Sequence, residues 1–277
     1  FKYNLKGVSL MLKAFSLVST ASIALMSLSL FYAPDTNAKG LSHEKSEFSA
    51  NVQKPTSSQS STQANALKKV NEKNLTSNPD DPSLPKDSKV NRYIIENHLQ
   101  HSKIVKDPRM NNLPKNPYKF KSYIGIVIHE VGEDHRSLQD WVDQMYRTFD
   151  RAFVHAFVDN NEIHITAPSE YYVWGAGAKA NPYFYQIELV RQYTFEDFAK
   201  SVNNQAWLAA YMLKQNGIKP TLADDNEGIG SIISHNAVSQ YWGGTDHVDP
   251  IEYYARWGYD MHQLFELVKY HYDNIPG

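Results

Sequence analysis

Ile124-Gly125-Ile126-Val127-Ile128, followed at once by His129, is the stretch on which the fold turns. A short continuous apolar run of this length reads as a buried strand. Downstream, Leu138, Trp141, Val142 and Met145 recur at i, i+3, i+4 and i+7, which marks a helix starting after Ser137. Phe153 to Val158 and Glu162 to Thr166 flank Asp159-Asn160-Asn161 and read as a hairpin. Gln186 to Val190 is another apolar run. Thr194, with Asp197 three residues on, caps a long helix reaching Asn216 and ended by Gly217. Ser231 to Ser234 is a short strand, and Pro250 to Arg256 and Asp260 to Tyr272 close the chain as helices. Strands alternating with helices give an α/β layer fold.

Upstream, residues 102–122 form an irregular lead-in containing Lys and Pro. Before it, Tyr93, Ile94, Ile95 and Leu99 suggest a short amphipathic helix. Residues 39–88 are polar and low in complexity. They hold too little apolar surface to offset ordering entropy and read as a disordered basic linker. Lys2, Lys6 and Lys13 precede a Ser-interrupted apolar stretch from Ala14 to Tyr32, and Thr36-Asn37-Ala38 supplies small residues, so 1–38 reads as a signal peptide.

The 277 residues contain no cysteine, which excludes a disulfide scaffold, a thiol nucleophile and thiolate metal sites. The net charge of −2 conceals a division. Residues 39–122 carry 15 Lys/Arg against 8 Asp/Glu, and residues 123–277 carry 10 against 21. An acidic body argues against a nucleic-acid groove. A basic arm suits attachment to an anionic wall polymer, or serves only as a soluble spacer. All five Trp and 10 of the 11 His lie beyond residue 90, so the chemistry is C-terminal.

His129 and His235 each end a strand, and Asp249 follows His247 by two in Thr245-Asp246-His247-Val248-Asp249-Pro250. Ligand sites gather at strand ends of α/β sheets. Two imidazoles and a carboxylate make a zinc site with one position open for water, but hydrogen-bonded core histidines would give the same spacing. His247 and Asp249 share a face if the segment is extended. Glu188, inside Gln186-Ile187-Glu188-Leu189-Val190, is either a base with a raised pKa or a solvent-facing strand residue. Glu130 points away from His129 and reads as structural. His155 reads as a satisfied core histidine, and His135, His262 and His271 as solvent or helix-surface residues.

The chain resembles the zinc-dependent N-acetylmuramoyl-L-alanine amidases of the amidase-2 family, which share their fold with peptidoglycan recognition proteins and phage amidase lysozymes. The likeness is marked toward the amidase domains of staphylococcal-type autolysins. It is carried by Val127-Ile128-His129-Glu130, Ala152 to Asp159, Thr166-Ala167-Pro168, Trp174-Gly175-Ala176-Gly177, Ile187-Glu188-Leu189-Val190, Ser234 to Ser239 and Gly243 to Pro250. The resemblance implies a mixed central β-sheet flanked by helices, with 123–277 as the catalytic domain; it does not cover the residues before it, of which 89–122 read from their own pattern as a helical or irregular lead-in. It implies one zinc ion on His129, His235 and Asp249, Glu188 activating the water, and His247 supporting the oxyanion. Trp174 would line the substrate groove. Some relatives carry a catalysis-assisting Tyr near the position of Val154, so no Tyr is assigned there.

The implied substrate is peptidoglycan, cut between the muramic lactyl group and L-alanine. From its signal-like start the enzyme is expected to be secreted and associated with a Gram-positive-like wall, and a monomer is expected. Two other readings stay in view. One is a non-catalytic peptidoglycan-binding module on the same fold, which the complete residue set disfavours. The other is a zinc hydrolase cutting inside the wall peptide.

Overall fold

In the computed structural model, which describes residues 88–276, the opening run becomes β2 (Gly125–Glu130), buried along its whole length. The signal-peptide reading of 1–38 and the linker reading of 39–88 lie outside the described residues, except for Ser88. Five further strands join β2: β1 (Lys103–Lys106), β3 (Ala156–Val158), β4 (Glu162–Ile165), β5 (Phe184–Leu189) and β6 (Ile232–Ser234). They form one sheet in the order β1-β4-β3-β5-β2-β6. The strands β3, β5, β2 and β6 run parallel to one another, while β4 is antiparallel to β3 and parallel to β1. The sheet is therefore mixed, as the sequence implies.

Side-chain alternation sorts this sheet into two faces. Ile126, Ile128, Tyr185, Ile187 and Leu189 pack in one cluster with Val202, Ala206, Leu213, Leu264 and Val268. The latter come from α3 (Phe195–Gln215) and α6 (Met261–Asn274), the long helices that cover this face. Val127, Phe184 and Ile233 point the other way, into a cluster with Ala176, Ala180 and Trp242. On that second side, Phe157 and Val154 meet Leu138 and Val142 of α2 (Leu138–Arg147). Burial of these aliphatic and aromatic side chains, at about 25 cal/mol per Å² removed from water, drives the layering.

The helix boundaries follow local chemistry. Ser137 and Asp140 form a reciprocal capping box at the start of α2. Thr194 accepts the Asp197 N–H at the start of α3, which runs to Asn216 as its C-cap. Two short helices, α4 (His235–Ala237) and α5 (Ile251–Ala255), flank the loop that carries His247 and Asp249. Among the described residues no helix is long and apolar enough to cross a membrane.

The lead-in differs from its sequence reading. Lys103–Lys106 is not irregular but an edge strand, paired to β4 with Lys103 opposite Glu162. An edge strand bonded on one side shows no burial rhythm, and Lys at both ends masks the rest. Ahead of it, α1 (Lys89–Glu96) buries Val90 and Ile94 in the large cluster. A buried polar latch completes the attachment. Ser88 donates to Gln263 Oε1, Asn91 Nδ2 donates to Gln263 O at 2.7 Å, and Tyr259 donates to Asn91 Oδ1 at 2.9 Å.

Candidate active site

Three neighbouring parallel strands, β5, β2 and β6, end at the same edge of the sheet. Each delivers one polar residue there: Glu188, His129 and His235. His129 stands opposite Glu188 in the β2–β5 register, so both project from the same face. Ser234 fixes the turn out of β6 by accepting the Ala237 N–H, and it is itself held by Asp224, which takes the Ser234 N–H at 3.0 Å and its hydroxyl at 2.5 Å. The fourth contributor is the loop from Gly243 to Pro250. It is seated against Trp174-Gly175-Ala176-Gly177, where glycine is a requirement. Gly177 sits at φ +79°, and a Cβ there would lie 2.6 Å from the Gly244 carbonyl oxygen.

The donor atoms converge. His129 Nδ1 and His235 Nδ1 are 3.0 Å apart, and Asp249 lies 3.3 Å from the first and 3.1 Å from the second. A tetrahedral ion with bonds of about 2.0–2.1 Å spaces its ligands about 3.3–3.4 Å apart. Two imidazole lone pairs aimed at each other across 3.0 Å repel unless a proton or a cation lies between them. Both histidines are 1% exposed. Burial, then the neighbouring His235, pushes His129 down to about 4, so its ring is neutral and able to ligate. Burial alone would raise Asp249, but His235 and hydrogen bonds from His129, His235 and His247 outweigh it and hold the carboxylate well below its usual range. The set thus offers two imidazole nitrogens and one anionic oxygen, which fits a divalent metal.

Around this set, Thr245 Oγ1 lies 3.0 Å from His235 Nε2, which leaves His235 Nδ1 directed at the centre. The Glu130 N–H donates to Asp249 Oδ2 at 3.2 Å. His247 places Nδ1 3.4 Å from Asp249 Oδ1, and its ring stacks on His235 with centroids 4.6 Å apart. The Asp249 hydrogen bond raises the His247 pKa against burial. His247 and Asp249 thus lie on the same side, as alternation along an extended segment predicts.

Glu188 is not solvent-facing. Its Oε2 is buried with no hydrogen-bond partner, and so is His129 Nε2. Burial, then the charges of Asp249 and Glu130, raise its pKa well above the usual carboxylate range. Glu130 points the other way, as expected, and pairs with Arg191, whose NH2 lies 3.0 Å from Oε2. His155 is the anticipated core histidine. It is fully buried, accepts the Gln186 N–H at 3.0 Å and lies 2.9 Å from both Tyr118 OH and the Tyr171 carbonyl. Val154 is buried beside α2.

The remaining residues divide. Trp174 is half-buried against Phe153, and its indole N–H donates to the Phe149 carbonyl. His271 corrects the sequence reading. It is 8% exposed and bonded to Asn203 Oδ1, because the last helix turns that side chain onto α3. Spacing gives no hint of Thr245, which stands inside the Gly-Gly-Thr-Asp-His run, or of Gln205, whose amide lies behind the site. The one signal for Gln205 is three successive amide residues, Asn203-Asn204-Gln205, in an otherwise amphipathic helix.

Comparison with known proteins places the chain in a family. The family model described as N-acetylmuramoyl-L-alanine amidase matches residues 120–252. Protein Ami of Listeria monocytogenes is 40% identical over 185 residues, covering 66% of this chain and 20% of its own. A bifunctional autolysin of Staphylococcus aureus is 39% identical over 199 residues, covering 69% of this chain and 16% of its own. This chain therefore spans a fifth or less of those relatives. The crystal structure of Staphylococcus aureus hydrolase AmiA in complex with its ligand superposes with a TM-score of 0.65 at 39% identity, covering 69% of this chain and 95% of that one. By this match over residues 120–252 and this likeness, the chain belongs to the N-acetylmuramoyl-L-alanine amidase family of the amidase-2 type.

Proposed function

We propose that this chain is a secreted zinc hydrolase of the cell wall, cleaving the amide between the lactyl group of N-acetylmuramic acid and L-alanine in peptidoglycan. The observation that carries the reading is the convergence of His129, His235 and Asp249 beside a buried, unpartnered Glu188 oxygen. Family membership and the autolysin relative support it. We assign 123–277 as the catalytic domain, 89–122 as its packed lead-in, 39–88 as a linker and 1–38 as a signal peptide. We take the protein to act as a monomer, without nucleic acid.

Imidazole nitrogen and carboxylate oxygen suit zinc, and three protein ligands leave a fourth position open. One zinc ion held by His129, His235 and Asp249 would polarise the scissile carbonyl and lower the pKa of water. The chain's own residues do the rest. Glu188 takes the proton from the attacking water as the water oxygen bonds to the carbonyl carbon. The carbon–nitrogen bond then breaks, and Glu188 passes that proton to the departing alanine nitrogen. The products are a lactyl carboxylate and a free amine on L-alanine. His247 donates a ring N–H to the carbonyl oxygen as negative charge collects there. One such donor contributes about 3–4 kcal/mol in the transition state. Trp174 offers an indole face to the glycan or peptide.

The basic arm needs relocating. Residues 39–88 carry 7 Lys/Arg against 6 Asp/Glu, whereas 89–122 carry 8 against 2. Lys103, Lys106, Lys115, Lys119 and Lys121 of the lead-in are exposed. Any contact with anionic wall polymers is therefore assigned to the lead-in, and its binding should weaken as salt rises. Binding that ignores salt would exclude it.

Digestion of purified peptidoglycan with the zinc-loaded protein, read by mass spectrometry, tests the function. Released stem peptides with a free amino-terminal L-alanine are expected. Cuts within the stem peptide, or tight binding to an unchanged wall, would overturn it.

A further inference from the structure

Gln205 lies on α3, on the side of the sheet away from His129 and Glu188, and is 0% exposed. Its surroundings are the aliphatic and aromatic side chains of the largest cluster. A primary amide buried there without partners costs about 1–3 kcal/mol, so its presence calls for a reason. Its three hydrogen bonds are directed at the active site's supports. Nε2 donates to the His129 carbonyl at 3.0 Å and to the Ile187 carbonyl at 3.2 Å. Oε1 accepts from the Tyr254 hydroxyl at 2.5 Å. His129 is one of the convergent donors, Ile187 is the residue before Glu188, and Tyr254 stands on α5, five residues after Asp249. One buried amide therefore joins the three segments that deliver His129, Glu188 and Asp249.

We propose that Gln205, braced by Tyr254, is a positioning residue for the metal set and the general base. The inference rests on the zinc amidase reading above. The peptide planes of His129 and Ile187 sit side by side in the sheet, and both are gripped by one amide. Their tilt sets the directions in which His129 and Glu188 leave the backbone. Such a site must be held within about 0.5 Å to work. Tyr254 fixes the rotation of that amide, and it ties α5, hence the end of the Asp249 loop, to the same point. A packing role alone would be served as well by an apolar side chain of the same length.

Gln205→Met keeps the volume and removes the hydrogen bonds, and adding Tyr254→Phe removes the hydroxyl that the first change strands. In the double variant, stability should recover relative to Gln205→Met alone. Zinc affinity, measured by competition with a fluorescent chelator, should fall about 10-fold, the low end for supporting residues of metal sites. The kcat for a soluble muropeptide should fall by a similar factor with KM unchanged. Wild-type zinc affinity and kcat in the double variant would overturn the proposal, whatever its melting temperature. If Gln205→Met does not fold, Tyr254→Phe alone must show the same two losses in smaller degree, and wild-type values there overturn it equally. A wild-type protein that neither binds zinc nor cuts the amide would defeat the functional reading instead, so the two failures are told apart.

Discussion

Glu188 and Glu130 show how one step along a strand changes a carboxylate's use. Glu130 faces Arg191 and is ion-paired to it. Glu188, across the β2–β5 pair from His129, keeps one oxygen buried and unpartnered, and burial, then the charges of Asp249 and Glu130, raise its pKa. A base that must hold a proton briefly near neutral pH needs that environment. Glu188→Gln is therefore expected to keep zinc at one ion per chain while kcat falls about 10²–10⁴-fold. Metal analysis and muropeptide turnover on one preparation check it, and near-normal turnover would remove Glu188 from the mechanism. Gly177 is the second position where a single atom decides the outcome. Its φ of +79° disfavours any Cβ by about 1–2 kcal/mol, and the added methyl would press on Gly244 at 2.6 Å. Gly177→Ala should displace the loop that carries His247 and Asp249, lowering both zinc affinity and melting temperature. If both stay at wild-type values, the close approach has no part in seating that loop.

Among the elements, those with a strong internal rhythm are legible in the order of residues alone. The capped helix after Ser137 and the long helix from Thr194 stand where periodicity and capping chemistry place them, and the hairpin turns at Asp159-Asn160-Asn161 as expected, although its first strand begins at Ala156 and not at Phe153. The candidate ligands are legible too, because imidazoles closing apolar strands are conspicuous. What escapes a reading of the chain is tertiary. Lys103–Lys106 becomes a strand only because β4 offers it a ladder, and nothing in four residues with Lys at each end announces that partner. Gln205 is equally hidden, since spacing along a helix cannot say which carbonyls of a sheet lie beneath it. The lead-in's attachment makes its own prediction. Asn91 gives and receives buried hydrogen bonds with Gln263 and Tyr259. Asn91→Ala leaves both partners unsatisfied, at about 1–3 kcal/mol each. Guanidinium unfolding should show a loss of about 2–6 kcal/mol, with zinc affinity unaltered because no side chain of the latch bonds to His129, Glu188, Asp249 or Gln205. A loss below about 0.5 kcal/mol, the level of an ordinary surface change, would mean that α1 rests on the domain without stabilising it.

At the level of the whole molecule, two histidines outside the metal set tie stability to pH. His155 is driven down to about 3 and His271 to about 4, in both cases first by burial, against an ordinary value of 6.5. His155 also uses its Nδ1 lone pair to accept the Gln186 N–H, so a proton there would break a bond as well as charge the core. Because the folded values are depressed, the unfolded chain takes up protons first as pH falls below 6.5. The stabilisation is complete above 6.5 and is lost as pH drops toward 3 or 4, at about 1.4 kcal/mol per pH unit for each histidine. Asp107 behaves differently. The Arg109 guanidinium holds it near 2, so its contribution persists down to its ordinary 3.8 and disappears only below that. Between about pH 6 and 4.5 each buried histidine contributes this loss, while buried carboxylates held above their usual range, Glu188 among them, act in the opposite direction. Guanidinium unfolding of metal-free protein across that range reads the net slope. His271→Gln offers a check, since glutamine can still donate to Asn203 but cannot be protonated. Its slope should be shallower than the wild type's by about 1.4 kcal/mol per unit. Equal slopes in the two proteins would show that His271 is protonated in the folded state and that acid lability has another origin.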